Sequence, residues 1–196
     1  AKLDASIVKI EELRKAVRAS LDEMYKTTGN SILKKTEKYS LDVGTSHGEW
    51  AALGLARAGI MRDSTAEDYA QNVFKYVKKK SSAKLHASKS TDNSRVILAL
   101  TSIGRDVTDV AGYDLLEPLE DFDYVKAQGI NGPIWALIAL DSHKYEIPEA
   151  PKGTSQTTRE LLISSILDAQ LADGGWAIDE KSAEVDITAM AIQALA

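Results

Sequence analysis

Two carboxylates, Glu184 and Asp186, stand at the head of an apolar run in the stretch EVDITAMA at 184–191. A carboxylic acid kept neutral beside a cavity can donate a proton to a substrate. Desolvation or a supporting carboxyl must raise its pKa for that role. A carboxylate that opens a helix can instead cap orphan N–H groups, and the helix dipole then holds it ionised. The residue pattern favours the cap for Asp186, with a ligand-contacting acid and a catalytic acid as the other readings. Glycoside hydrolysis by paired carboxylates needs two acids facing one bond. A spacing of two turns Glu184 and Asp186 to different sides of a helix. Glu120, Asp121 and Asp123, in PLEDFDYV, read as a solvated helix start.

Other chemistries have less support. The histidines, His47, His86 and His143, are 39 and 57 residues apart, outside the spacings of helical metal sites. Cysteine is absent, which excludes disulfides, thiolate nucleophiles and cysteine-ligated metals but leaves the compartment open. There is neither a G-x-S-x-G elbow nor a Walker loop, and ADGGWA reads as a turn. We therefore expect no metal and no cofactor. With 196 residues, 44% hydrophobic and 27% charged, the chain suits one soluble domain with a sizeable core. The formal charge of −5 weakly repels nucleic acid. Lys78, Lys79 and Lys80 end a helical pattern, where cations favour the dipole. No apolar stretch approaches the ~20 residues of a membrane span, and AKLDASIVKIEE has no signal-peptide pattern.

The elements that would position these groups are helical. Ile10, Leu13, Val17, Leu21 and Met24 form one apolar stripe, as do Tyr69, Val73, Tyr76 and Val77, and Leu162, Ile163, Ile166 and Leu167. Such stripes mark outer helices, wet on one side. WAALGLARAGI (50–60), RVILALTSIG (95–104), IWALIAL (134–140) and ITAMAIQALA (187–196) are apolar almost all round, which predicts helices buried on every side. A strand remains conceivable for RVILAL and IWALIAL, but alanine and leucine favour helix and no period-2 alternation appears. Outer and inner types alternate four times, with inner segments spaced 45, 40 and 55 residues apart. That predicts a degenerate helical-hairpin repeat. Capping boxes are expected at Ser46–Glu49, Ser64–Glu67 and Thr157–Glu160, stops at Gly59 and Gly104, and loops over 104–113 and 141–156. An all-α domain built this way is either a straight solenoid or a ring, and inner helices apolar on all sides suit the ring.

The stretch ISSILDAQLADGGWAIDEKSAEVDITAMAIQAL resembles one repeat of the terpenoid cyclase and protein prenyltransferase α/α-toroid superfamily. Gln170, Gly174 and Trp176 reproduce its Q-x₃-G-x-W signature. GINGPIWALIALDS and DNSRVILALTSIGRD are similar to neighbouring repeats of bacterial squalene-cyclase-like domains, so the resemblance runs from about residue 46 onward. It implies a partial toroid of about four outer–inner pairs over residues 1–196, in a bacterial protein that is secreted or displayed on the surface. The animal cobalamin carriers share such a toroid. In the family the signature joins an outer helix to the next inner one, and the aromatic ring packs against the amide. The chain halts at Ala196 in an apolar run, giving the expectation of an incomplete domain whose apolar edge meets a remaining toroid segment or another copy.

The resemblance also bears on Asp186. Class II cyclases carry D-x-D-D-T-A at the start of an inner helix, and the middle acid protonates an alkene or epoxide. On this chain the first acid is Glu184, the middle one Asp186 and the third is replaced by Ile187, before Thr188 and Ala189. Part of the supporting carboxyl network is thus missing. The prenyltransferase zinc site needs a cysteine that the chain lacks. In a ring, the residues at the starts of inner helices gather at one mouth: His47, Glu49, Trp50, Asp92, Arg95, Asn131, Trp135, Glu184 and Asp186. That mixed polar and aromatic set suits a small ligand, although Trp50 and Trp135 read first as helical core and Arg95 as one half of an ion pair. The expected function is a non-catalytic toroid domain that binds a small molecule or a protein partner. A cyclase-like or prenyltransferase-like enzyme using Asp186, and a purely structural module, are the alternatives.

Overall fold

The computed structural model describes residues 9–20, 23, 42–179 and 181–196. The fold is all-α. Its helices are α1 (Ser46–Arg57), α2 (Asp63–Lys80), α3 (Ser90–Ser102), a 3-10 turn (Glu117–Glu120), α4 (Phe122–Lys126), α5 (Asn131–Asp141), α6 (Arg159–Asp168) and α7 (Val185–Leu195). Among the described residues there is no strand, only the isolated bridges Val110–Tyr113 and Asp121–Gln156. RVILAL and IWALIAL are helical, as their alanine and leucine content predicts.

The four inner segments form a row in chain order: α1 packs on α3, α3 on α5, and α5 on α7. Burial follows position in that row. On α3, Val96 through Leu100 are all buried, and on α5 so are Gly132, Pro133, Ile134, Ala136, Leu137, Ala139 and Leu140. At the two ends the expectation of all-round burial fails. Gly54 and Arg57 of α1 are exposed, and so are Ala189, Ile192 and Gln193 of α7. A helix at the end of a row has one closely packed inner neighbour, so one flank stays open. Gly132 lets α5 begin tightly against α4, because a methyl group there would overlap the Val125 carbonyl oxygen.

The outer layer is less regular than the repeat implies. α2 matches its stripe, with Tyr69, Val73 and Val77 fully buried. α6 packs on α5 through Leu162 and Ile166, but Ile163 and Leu167 of the predicted stripe are 38% and 50% exposed. Between α3 and α5 no long outer helix forms. The loop after α3, the 3-10 turn and the five-residue α4 take its place, burying Val107, Leu115, Leu119 and Val125. Residues 9–20 are helical, yet Ile10, Leu13 and Val17 are at least half exposed, so their stripe packs on nothing described. Leu21 and Met24 lie outside the described residues.

Helix boundaries follow local chemistry with small offsets. Gly59 and Gly104 adopt positive φ of 67° and 68° and close Schellman motifs. Ile60 N–H donates to Leu55 O (3.1 Å) and Arg105 N–H to Leu100 O (2.9 Å). The expected caps shift. The N-cap of α1 is Thr45, one residue before the expected position, and its Oγ1 accepts from Gly48 N–H at 3.0 Å. Thr158, not Thr157, accepts from Leu161 N–H at 3.2 Å. α2 begins after Arg62 with no side-chain cap, so Ser64 serves none. Lys78, Lys79 and Lys80 do fill the last turn of α2.

Candidate functional site

The starts of all four inner helices surround one cavity of 520 Å³. Trp50 enters from α1, Arg95 from α3, Asn131 and Trp135 from α5, and Asp186 from α7. The two tryptophan rings meet with centroids 4.7 Å apart and planes inclined at 48°. Trp50 and Trp135 belong to the first and third helices of the row, so their contact links two helices that flank α3. Beyond the pair a second cavity of 650 Å³ opens, with Leu53, Leu98 and Ile138 on its walls and Arg57 and His143 among its polar groups. The half-buried tryptophans pack against the core and also stand between the two cavities.

Beneath the first chamber lies an ion cluster. The Arg95 guanidinium donates to Asp92 Oδ1 at 2.8 Å and to Thr91 Oγ1 at 3.5 Å. Its Nε approaches Glu49 Oε2 at 3.7 Å. Glu49 is fully buried, and its Oε1 accepts from Gly44 N–H at 2.7 Å. Burial raises the Glu49 pKa above its ordinary 4.5, with the Gly44 N–H and the Arg95 charge pulling the other way. Tyr69 is buried nearby, and burial followed by the Glu49 charge pushes its hydroxyl pKa up.

The Glu49 shift carries a testable sign. A proton held more tightly in the folded state favours folding at low pH, and that contribution is lost as pH rises from below 4.5 through the folded pKa. Glu49→Gln keeps an acceptor for Gly44 and carries no buried charge. The urea midpoint of this variant should exceed that of the parent at pH 7, and the fall in stability above pH ~4.5 should flatten. Parallel pH profiles for the two proteins would contradict the assignment.

Several expected site residues fall elsewhere. His47 is exposed and does not line the cavity. Glu49 and Asp92 sit behind Arg95 rather than on the wall. Glu184 occupies the N-cap position of α7, yet its Oε2 accepts from Ile178 N–H at 2.9 Å in the preceding loop. Glu184 borders a different, shallow depression on the far flank of α7. The cap expected of Asp186 is not made, because α7 starts at Val185, two residues earlier than such a cap requires. Asp186 lies exposed in the first turn, where the dipole favours its charge. Ile187, in place of a third acid, is 2% exposed.

The turn before α7 holds this geometry. Gln170 Nε2 donates to Gly174 O at 2.8 Å, and Gly174 takes a φ of +87°. The indole N–H of Trp176 donates to Ile166 O at 2.6 Å, tying the turn to α6. Trp176 N–H donates to Thr188 Oγ1 at 3.0 Å, tying it to α7.

Thr91 and Gln128 also line the cavity and were not anticipated. Thr91 could have been found, since it precedes Arg95 by one helical turn and shares its face. Gln128 carries no local signal: it reaches the wall by accepting from Thr91 N–H at 2.9 Å across 37 residues of chain. Among the described residues, no group of three or more histidines or carboxylates converges as a metal site would require, and no helix is long and apolar enough to cross a membrane.

No family model, curated protein or solved structure matches this chain.

Proposed function

We propose that the chain is an α/α-toroid domain that binds a small molecule at the mouth formed by its inner helices, without catalysing a reaction. The observation that carries this reading is the 520 Å³ cavity itself, in which side chains from four successive inner helices converge. Its size is that of a ligand pocket, and aromatic walls with a few polar groups are the usual composition. Acid catalysis by Asp186, the cyclase-like alternative, has weaker support. A proton-donating carboxyl needs desolvation or a neighbouring acid. Asp186 is exposed, Glu184 is engaged with the loop, and the third position is isoleucine. A secreted or surface setting follows only from the sequence resemblance.

A protein contact at the α7 end of the row is a second role, suggested by Val185, Ile178 and Ile192, which are 89%, 61% and 57% exposed. Val185 and Ile192 flank the shallow depression beside α7, and exposed apolar surface of this kind usually meets a partner. A second copy of the chain is the candidate.

A thermal-shift screen with cobalamins, isoprenoid diphosphates, oligosaccharides and small amines tests the ligand reading. One class should stabilise the protein saturably. Asp186→Ala should abolish that shift and leave the unliganded melting temperature within about 2 °C, as expected for an exposed side chain without a cap bond. Ligand binding that survives both Asp186→Ala and Trp135→Leu would move the site elsewhere.

A further inference from the structure

The charges and rings around the first chamber narrow the class of ligand. We propose that the cavity bounded by Trp50, Trp135 and Asp186 is a site for an organic cation, such as an alkylated ammonium group. This rests on the reading of the mouth as a ligand site and specifies its chemistry.

Electrostatics supply the first argument. Arg95 and Asp186 are the charged residues on the wall. The Arg95 charge is already met by Asp92 at 2.8 Å, with Glu49 adding further negative charge behind it at 3.7 Å. Among the described residues, Asp186 has no counter-charge within ion-pair distance. The side-chain charges on and just behind the wall thus comprise three carboxylates, Asp186, Asp92 and Glu49, against the one guanidinium of Arg95, on a chain whose net charge is −5. A diphosphate or carboxylate would meet the positive ends of the inner helices, but also these carboxylates, with one guanidinium that is already paired. A cation would meet Asp186 directly.

The tryptophan pair supplies the second. The negative face of an indole attracts a cation within about 6 Å, most strongly where water is excluded. Both rings, inclined at 48° with centroids 4.7 Å apart, border the chamber, which sets aromatic surface from two helices beside a cation held there. Ile187 and Met190 continue the wall with apolar surface for the alkyl groups. The Gln128 side-chain oxygen is taken by the Thr91 backbone N–H at 2.9 Å, and the Thr91 hydroxyl oxygen accepts from Arg95 at 3.5 Å.

Choline and its neutral isostere 3,3-dimethylbutan-1-ol have nearly the same shape and differ in charge. Titration of the full chain with each, followed by tryptophan fluorescence and calorimetry, separates charge from shape. Choline should bind saturably, and the alcohol about tenfold or more weakly. Asp186→Asn and Trp50→Leu should each weaken choline about tenfold while leaving binding of the alcohol unchanged or less affected. Circular dichroism checks that both variants are folded. Equal affinity for choline and the alcohol, or choline binding indifferent to Asp186→Asn, would overturn the proposal. Binding of maltohexaose but not choline would also overturn it, leaving the mouth a ligand site of another class. Failure of every ligand in the thermal screen would remove both readings.

Discussion

Trp176→Ala should destabilise the protein by about 3–5 kcal/mol, the usual loss for removing a buried large aromatic side chain. Trp176 is 4% exposed and belongs to the main hydrophobic cluster. Truncation also strands the Ile166 carbonyl, which accepts the indole N–H at 2.6 Å, and an orphaned buried acceptor adds its own cost. Because a domain of this size is stable by roughly 5–15 kcal/mol in all, the variant should retain little margin. Its effect should reach the ligand site. The backbone of Trp176 meets α7 through Glu184 N–H at 2.8 Å and the Thr188 hydroxyl at 3.0 Å, and α7 carries Asp186. Trp176→Phe keeps most of the apolar area and loses the N–H donor, so its loss should be about 1–3 kcal/mol. Chemical denaturation of both variants checks the order. Equal losses would mean that the buried ring contributes nothing beyond its hydrogen bond to Ile166, and an unchanged stability of Trp176→Phe would mean that this hydrogen bond contributes nothing.

Asn93→Ala should cost on the order of 4 kcal/mol, since three buried backbone groups lose their partner at about 1–3 kcal/mol each. Asn93 is fully buried in the first turn of α3. Its Oδ1 accepts from Leu85 N–H at 3.0 Å, and its Nδ2 donates to Ala83 O at 2.8 Å and Leu115 O at 3.0 Å. One amide thereby fastens the segment after α2 and the loop after α3 to the helix that carries Thr91 and Arg95. Asn93→Asp is nearly isosteric, but its carboxylate would point acceptors at two carbonyls. Its loss should equal or exceed that of Asn93→Ala at pH 7. Urea denaturation gives both values, and a loss below about 1 kcal/mol for either variant would show that the stranded groups are satisfied another way.

Asn93 illustrates what one sequence conceals. A lone asparagine before an apolar run looks like a cap, and the three groups that it binds are 8, 10 and 22 residues away. Where the signal is local, the reading holds. Tyr69, Val73 and Val77 are buried at the spacing that marks them, and Gly59 and Gly104 stop their helices because a Schellman turn needs positive φ. Thr45 and Ser46 both offer a hydroxyl, and local chemistry does not choose between neighbours. The cap falls on Thr45 in a structure that also draws Glu49 inward to Gly44 N–H. The absent third outer helix has a similar cause. Val107, Val110, Leu115 and Leu119 are buried without helical spacing, by an irregular path that tertiary packing alone specifies.

The candidate site was legible to the extent that position on a helix determined it. Trp50, Arg95, Asn131, Trp135 and Asp186 converge because each stands near the start of an inner helix. Glu49 and Asp92 share that position but turn to Arg95, a choice made by charge and burial together. Glu184 is diverted by an N–H of its own loop. The difference between lining a cavity and supporting its wall is set by side-chain partners that spacing does not reveal.

The chain has three tryptophans, and their locations permit one direct test of the ligand site. Trp50 and Trp135 line the cavity, while Trp176 is buried at the turn before α7. In protein labelled with 5-fluorotryptophan, fluorine NMR should resolve one resonance for each, assigned by single substitution to phenylalanine. Saturation with choline or with the most stabilising ligand of the thermal screen should shift the Trp50 and Trp135 resonances together and leave that of Trp176 in place. A ligand that shifts Trp176 alone, or that stabilises the protein while moving neither Trp50 nor Trp135, would contradict a binding site at this mouth.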